Sequence, residues 1–86
     1  MKLREFKSKQ LAKLMEIKKQ LTEKYPEKNE RIRYIVDMLV HKLYNLRVYT
    51  LTDYLHTLYL ATREFAEFEQ LIPSPDEVEE LLRSAE

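Results

Sequence analysis

Apolar side chains recur at helical spacing along almost the whole of this 86-residue chain. From Lys2 to Tyr25 they return every three or four residues, which places them on one face of an amphipathic helix. The members of this stripe are Leu3, Phe6, Leu14, Ile17, Leu21 and Tyr25, with Leu11 and Met15 at its margin. Pro26 ends this first predicted helix, because its ring disfavours a helical conformation at the preceding residue.

A second helix is predicted from Asn29, which is suited to the N-cap position, to about Arg47. Its main stripe consists of Ile32, Ile35, Val36, Leu39, Leu43 and Leu46. The following run, Val48–Thr52, is rich in β-branched residues, which lose side-chain freedom in helices. We therefore expect a break there. A single kinked helix is the alternative, because neither proline nor glycine enforces a stop.

The third helix is expected to start at Thr50 or Thr52 and to end at Pro73, with Thr50 and Asp53 approximating a capping box. Its apolar face consists of Tyr54, Leu58, Ala61, Phe65, Phe68 and Ile72. A short fourth helix follows. Its start is marked by Ser74 as the cap, Pro75 at the first helical position and Glu77 completing the box. Its apolar ridge consists of Val78, Leu81 and Leu82.

No segment alternates with a period of two, so no strand is predicted. The length of 86 residues suits a single small domain and leaves no room for two separate cores. The predicted fold class is all-α, a small bundle of three long helices plus a short C-terminal helix, which spans residues 1–86 as one helical domain.

The second predicted helix also has apolar and aromatic side chains away from its main stripe. The 100° step per residue places Tyr34, Met38 and His41 opposite the stripe, with Tyr44 on one flank. In the third helix, His56 and Leu60 also point away from the main stripe. Either the second helix is central and surrounded by the other three, or a partner covers this face. Exposed Tyr and Met are typical of interfaces, so we predict a protein interface at Tyr34, Met38, His41 and Tyr44.

Charge divides the chain into two halves. Residues 1–47 contain 13 basic and 6 acidic side chains, a net of +7, and residues 48–86 contain 2 and 9, a net of −7. The two halves either attract each other within the fold or meet charged partners. The candidate contacts with phosphate or an acidic partner are Lys2, Lys9, Lys13, Lys24, Arg31, Arg33, Lys42 and Arg47. Phosphate contact depends mainly on such charges.

The composition excludes several classes of site. Without cysteine there is no disulfide, thiolate metal site or cysteine nucleophile, and without glycine the phosphate-binding loops of nucleotide enzymes are missing. His41 and His56 are not spaced as metal ligands, and no Glu precedes a His by three residues, as a di-iron bundle requires. We predict no enzyme activity, no cofactor and no metal site.

The cellular location of the protein is predicted from sequence features that the chain lacks. No apolar run approaches the roughly 20 residues that cross a bilayer, and the charged N-terminus does not resemble a secretory signal, so a cytoplasmic protein with no membrane partner is expected. The absence of glycine and cysteine, with few amides and abundant Lys, Glu and Tyr, is typical of thermophile proteins.

The stretch ERIRYIVDMLVHKLYNLRVYTL resembles the long helix of GINS-family DNA replication subunits. In that family an Arg followed four residues later by Ile or Leu leads into a Leu-Arg pair and further apolar positions. The corresponding residues here are Arg31, Ile35, Leu39, Leu46, Arg47 and Leu51. The resemblance covers about a quarter of the chain, and this chain has no segment for the small β domain of family members. It implies a helical, non-catalytic subunit that bridges larger replication proteins.

Together these observations predict a non-enzymatic protein–protein interaction module, an accessory subunit of a larger assembly that acts on nucleic acid. One alternative is a helical protein that binds DNA directly, either as a single chain or as a homodimer. The second alternative is a homodimer with no other partner. A helix that reads a DNA groove normally presents basic groups near its N-terminus, whereas the third helix has Asp53 there and no Arg or Lys before Arg63.

Overall fold

The computed structural model describes the backbone of residues 2–46 and 50–85 and the side chains of residues 3–46 and 50–83. Within these ranges the chain is helical and contains no strand, which confirms the all-α prediction. There are four α-helices, α1 (Lys2–Lys24), α2 (Asn29–Tyr44), α3 (Leu51–Glu64) and α4 (Pro75–Ala85), and two 3₁₀-helices, Pro26–Lys28 and Ala66–Leu71.

The α1–α2 connection follows the sequence prediction closely. α1 ends directly before Tyr25, and the 3₁₀ turn that begins at Pro26 reverses the chain, so that α2 packs beside α1. The Tyr25 amide still donates to the Leu21 carbonyl at 2.7 Å. The predicted cap is one residue out of place, because Asn29 is the first residue of α2 and Lys28 occupies the cap position without a side-chain hydrogen bond.

A break between the second and third helices is also present, but it begins before the predicted run of residues 48–52. Leu51 and Thr52 of that run lie in α3, and Val48 and Tyr49 lie outside the described residues. α2 ends at Tyr44, three residues before the predicted end, and the Asn45 side chain donates to the His41 carbonyl at 2.7 Å. Arg47, the predicted end, lies outside the described residues. Of the two predicted starts of α3, Thr50 is the correct cap, since its hydroxyl accepts a hydrogen bond from the Asp53 amide at 3.1 Å.

The third helix is shorter than predicted. α3 ends at Glu64, Phe65 is extended (φ −136°, ψ 106°), and a 3₁₀-helix follows instead of a continuous helix to Ile72. The physical reason is that the buried side chains of this segment are three positions apart in the sequence. In a 3₁₀-helix, with three residues per turn, Phe68 and Leu71 lie on one side, whereas an α-helix would rotate Leu71 away from Phe68 by roughly 60°. Phe65, Phe68 and Leu71 are all buried.

Helix α4 starts as predicted, because the Ser74 hydroxyl accepts from the Glu77 amide at 3.2 Å and Pro75 is the first helical residue. Only part of its predicted apolar ridge is buried. Leu81 is buried, Val78 is half-buried, and Leu82 is 43% exposed. α4 packs chiefly against α1.

The core lies where α1, α2, α3 and the second 3₁₀-helix meet. Among the described residues two polar side chains, Gln10 and Thr57, are also buried, and the apolar pattern predicted neither. Gln10 of α1 is 5% exposed and lies between Phe6 and Leu14 on the buried face. Its Nε2 donates to the Leu71 carbonyl at 2.8 Å, and its Oε1 accepts from the Tyr54 hydroxyl at 2.6 Å. Among the described side chains, no buried nitrogen or oxygen lacks a hydrogen-bond partner.

Candidate protein interface

Helix α2 has one buried face, formed by Ile32, Ile35, Val36, Leu39 and Leu43. The rest of the helix is not enclosed by the described part of the chain. Tyr34 is 57% exposed, Tyr44 is 61% exposed, His41 is exposed and Met38 is half-buried. α2 packs against α1 and α3 but does not occupy the centre of the bundle, so this outer face has no cover within the described residues.

The four predicted interface residues spread over roughly a third of the circumference of α2. Arg31 and Lys42 mark the side of α2 that faces α3, because both contact α3 side chains. The step of 100° per residue places Tyr34 and Met38 near that side, with His41 beside them. Tyr44 lies roughly 120° around the helix from Met38 and about 60° from His41. Three of the four residues therefore lie nearest to α3, and Tyr44 lies at the far end of the same arc.

Helix α3 adds an apolar side chain to the same surface. Thr57 and Glu64 mark the side of α3 that faces α2, and Leu60 lies between them at helical spacing. Leu60 is 46% exposed. Tyr34, Met38 and His41 of α2 with Leu60 of α3 are called the α2–α3 surface below. The sequence pattern identified Leu60 as pointing outwards, but its position beside α2 depends on the packing of the two helices.

Arg31 holds the edge of the α2–α3 surface in place. Its Nε donates to Glu64 Oε2 at 2.8 Å, and its Nη2 contacts the other carboxylate oxygen. Its guanidinium carbon lies 5.4 Å from the centre of the Tyr34 ring, which is a cation–π distance. A planar guanidinium that is fixed by two hydrogen bonds limits the motion of the aromatic ring beside it. One face of the exposed Tyr34 ring thus lies beside a guanidinium that is held by two hydrogen bonds.

Three of the eight predicted basic contacts bind groups of the same chain. Lys24 Nζ is 3.0 Å from Glu67 Oε2, Arg31 pairs with Glu64, and Lys42 Nζ donates to the Thr57 hydroxyl at 2.8 Å. Lys9 and Lys13 line a groove together with acidic residues of α4. Arg33 is exposed on α2, while the Lys2 side chain and Arg47 lie outside the described residues. The +7 and −7 halves thus meet within the fold, which is the intramolecular alternative stated above.

These ion pairs predict a pH dependence. The hydrogen bond from Arg31 lowers the pKa of Glu64, and the hydrogen bond from Lys24 lowers that of Glu67. A carboxylate with a lowered folded-state pKa adds stability above its ordinary pKa and loses that contribution as the pH falls through the lowered value. The contribution is small, because both pairs are exposed to water.

The test is a side-chain NMR titration of both carboxylates. In the wild-type protein, Glu64 and Glu67 should both titrate below the ordinary glutamate value of 4.5. With Arg31→Gln, the pKa of Glu64 should rise while that of Glu67 stays unchanged, which makes Glu67 the internal control. An unchanged Glu64 pKa in the variant would contradict the predicted pairing.

Two of the sequence predictions concern metal sites and membrane spans. His41 lies in α2 and His56 in α3, both exposed, and the Asn45 side-chain nitrogen is 3.4 Å from His41 Nδ1. In residues 2–46 and 50–85, no three His, Asp or Glu side chains are grouped as metal ligands would be. No helix in the same ranges has the length and apolar character that a membrane span needs.

The positions that resemble the GINS-family helix are divided between elements in this structure. Arg31, Ile35 and Leu39 lie in α2, Leu46 lies in the turn after α2, and Leu51 is the first residue of α3. Arg47 lies outside the described residues. The chain matches no protein-family model, no curated protein and no solved structure.

Proposed function

We propose that this protein is a non-enzymatic protein–protein interaction module that serves as an accessory subunit of a larger assembly. The α2–α3 surface is the observation that supports this function. It combines an exposed Tyr, a Met and a Leu with an Arg-supported ring, and such residues are enriched in the cores of protein interfaces.

The energetic argument concerns the apolar area that the single chain leaves in water. Full burial of one large apolar side chain is worth about 1.5–3 kcal/mol. Tyr34 and Leu60 are each about half exposed, and Met38 is partly exposed. A partner that covers all three gains several kcal/mol, before the cost of association is subtracted.

The resemblance of the Arg31–Leu51 stretch to the GINS family supports a partner among proteins that act on nucleic acid, such as replication proteins. In this proposal the assembly contacts nucleic acid, and this chain contacts the assembly. The internal pairing of Lys24 and Arg31 agrees with that division of roles, because paired cations have less charge available for phosphate.

The double substitution Tyr34→Ala/Met38→Ala tests the proposed interface. We expect it to weaken partner binding at least about tenfold, since hot-spot residues of this kind each contribute more than about 1 kcal/mol. The thermal midpoint should change little, because Tyr34 is exposed and Met38 is only half-buried. The measurement is capture from native extract, identification of the bound protein, and titration of that purified protein against both forms.

Tyr59→Ala is the matched control, because Tyr59 is an exposed tyrosine on α3 outside the α2–α3 surface. It should bind the partner as the wild type does. Loss of folding in the double variant would contradict the proposal by assigning these side chains to the core. Equal loss of binding in the control would remove the α2–α3 surface from the interface.

Two further measurements separate the proposal from its alternatives. Sedimentation of the purified chain detects a homodimer, and dissociation of that dimer by the double substitution would favour self-association as the function. Titration of labelled duplex DNA at two salt concentrations detects direct binding. Affinity that falls steeply with salt would support the DNA-binding alternative, and no binding at low salt would exclude it.

A further inference from the structure

A second surface of the molecule lies between α1 and α4, away from the α2–α3 surface. An open groove of about 330 Å³ runs between these helices. On the α1 side it is lined by Glu5, Phe6, Lys9, Gln10 and Lys13, which are called the α1 groove below. The α4 side contributes Glu77, Glu80 and Leu81. Two lysines and one glutamate of α1, beside the buried Phe6 and Gln10, thus face an acidic helix.

Helix α4 is held by little apolar contact. Leu81 is 2% exposed and is the only buried side chain among the described residues of this helix. Val78 is half-buried, and Leu82, the third member of the apolar ridge, remains largely in water. The unfilled groove beside Leu81 shows that α4 does not pack closely along its length. A helix attached in this way is expected to open at a lower free energy than the core.

The charges on the two sides of the groove are complementary. The described part of α4 contains Asp76, Glu77, Glu79 and Glu80 against the single cation Arg83, which pairs with Glu79 on its own helix at 2.6 Å. Glu77 and Glu80 are on the groove side, opposite Lys9 and Lys13. The attraction between such groups is weakened by salt, because their surroundings are open to water. The fit of α4 therefore depends on Leu81, on the half-buried Val78 and on charge.

From these features we infer that the α1 groove is a docking site for an acidic amphipathic helix of a partner protein, and that α4 occupies this site until the partner displaces it. The partner helix carries Asp or Glu opposite Lys9 and Lys13, and it inserts apolar side chains at spacings of three and four residues. It gains by filling the space that α4 leaves open. This inference does not depend on the α2–α3 surface.

The affinity of such a helix is set by competition with the tethered α4. A segment attached by a short linker competes at an effective concentration in the millimolar range. A peptide with the α4 sequence therefore binds the wild-type protein weakly, and release of α4 exposes its site. The linker is residues 72–74, which follow the 3₁₀-helix and include Pro73.

The first experiment measures whether α4 opens independently of the core. Amide hydrogen exchange of the full-length wild-type protein should be at least about 100-fold faster in α4 than at the buried positions of α2. Raising the salt concentration should increase the rate in α4 and leave α2 unchanged. If α4 is as protected as α2, it is an integral part of the core and the inference is wrong.

The second experiment measures binding of a labelled peptide, SPDEVEELLRSAE, to full-length variants. Leu81→Asp should release α4 and raise the peptide affinity at least about tenfold over the wild type. Leu82→Asp is the matched control, and it should leave the affinity at the wild-type value because Leu82 is not buried. An unfolded Leu81→Asp protein would overturn the inference, because α4 would then be required for the fold.

The groove itself is tested in the Leu81→Asp background. Addition of Lys9→Glu and Lys13→Glu should abolish peptide binding, whereas Lys19→Glu, an exposed lysine elsewhere on α1, should not. An unrelated acidic peptide with the same apolar spacing should bind, and the α4 peptide carrying Leu81→Asp should not. Lack of binding by the unrelated peptide would overturn the partner assignment. So would a wild-type dimer, detected by sedimentation, that exchanges α4 between copies.

Discussion

Replacement of Phe68 by alanine is expected to lower the free energy of unfolding by about 3–5 kcal/mol. The side chain is fully buried, and its ring centre is 6.3 Å from that of Phe65 in an edge-on arrangement. Phe65 in turn lies 5.7 Å from the Tyr25 ring, so loss of Phe68 removes one of the two contacts in a chain of three aromatic rings. Removal of a buried ring also leaves a cavity that the surrounding helices fill only in part.

Urea unfolding followed by circular dichroism measures this loss. The stability of a small domain is about 5–15 kcal/mol, so the variant should unfold at a much lower urea concentration or be partly unfolded without urea. Phe68→Leu is the matched variant, because it keeps a large apolar side chain. Its loss of unfolding free energy should be less than half of the loss in Phe68→Ala. A change below about 1 kcal/mol for Phe68→Ala would mean that the 3₁₀-helix does not pack into the core as described.

Replacement of Gln10 by alanine is expected to cost about 2–4 kcal/mol, because it leaves two buried groups without partners. Gln10 connects three elements. Its Nε2 donates to the Leu71 carbonyl, and its Oε1 accepts from the Tyr54 hydroxyl. Burial also raises the pKa of Tyr54 above its ordinary range, so the hydroxyl remains a donor throughout the physiological pH range.

A double-mutant cycle separates the hydrogen bond from the packing around it. Tyr54→Phe alone should cost about 1–2 kcal/mol, since the Gln10 carbonyl oxygen is then left without a donor. The combination Gln10→Ala/Tyr54→Phe should cost less than the sum of the two single changes, because both partners of that bond are absent. Additive costs would mean that the two side chains do not interact in solution.

Much of the fold was predictable from local patterns. The proline at position 26 and the caps at Thr50 and Ser74 set helix boundaries, because each acts on backbone groups within four residues of itself. The buried face of α2 followed from periodicity alone, since apolar residues at spacings of three and four must share one side.

The candidate interface was predictable only in part. The pattern identified Tyr34, Met38 and Leu60 as lying outside the main stripes, and two of them are largely exposed. It could not show that Leu60 lies beside α2, because this depends on how two helices are rotated against each other. The role of Arg31 beside the Tyr34 ring was missed for a similar reason, since its partner Glu64 is 33 residues away.

The sequence by itself determined that the chain is helical, where most helices begin, and which face of each is apolar. These properties depend on hydrogen bonds and side-chain spacing within a few residues. Only the tertiary structure decided that the third helix stops at Glu64, that Gln10 joins the core, and that the basic half meets the acidic half. The hydrogen bonds of Gln10, the ion pairs between the halves and the contact of Phe65 with the Tyr25 ring all join residues that are far apart in the sequence and come together only when the helices pack.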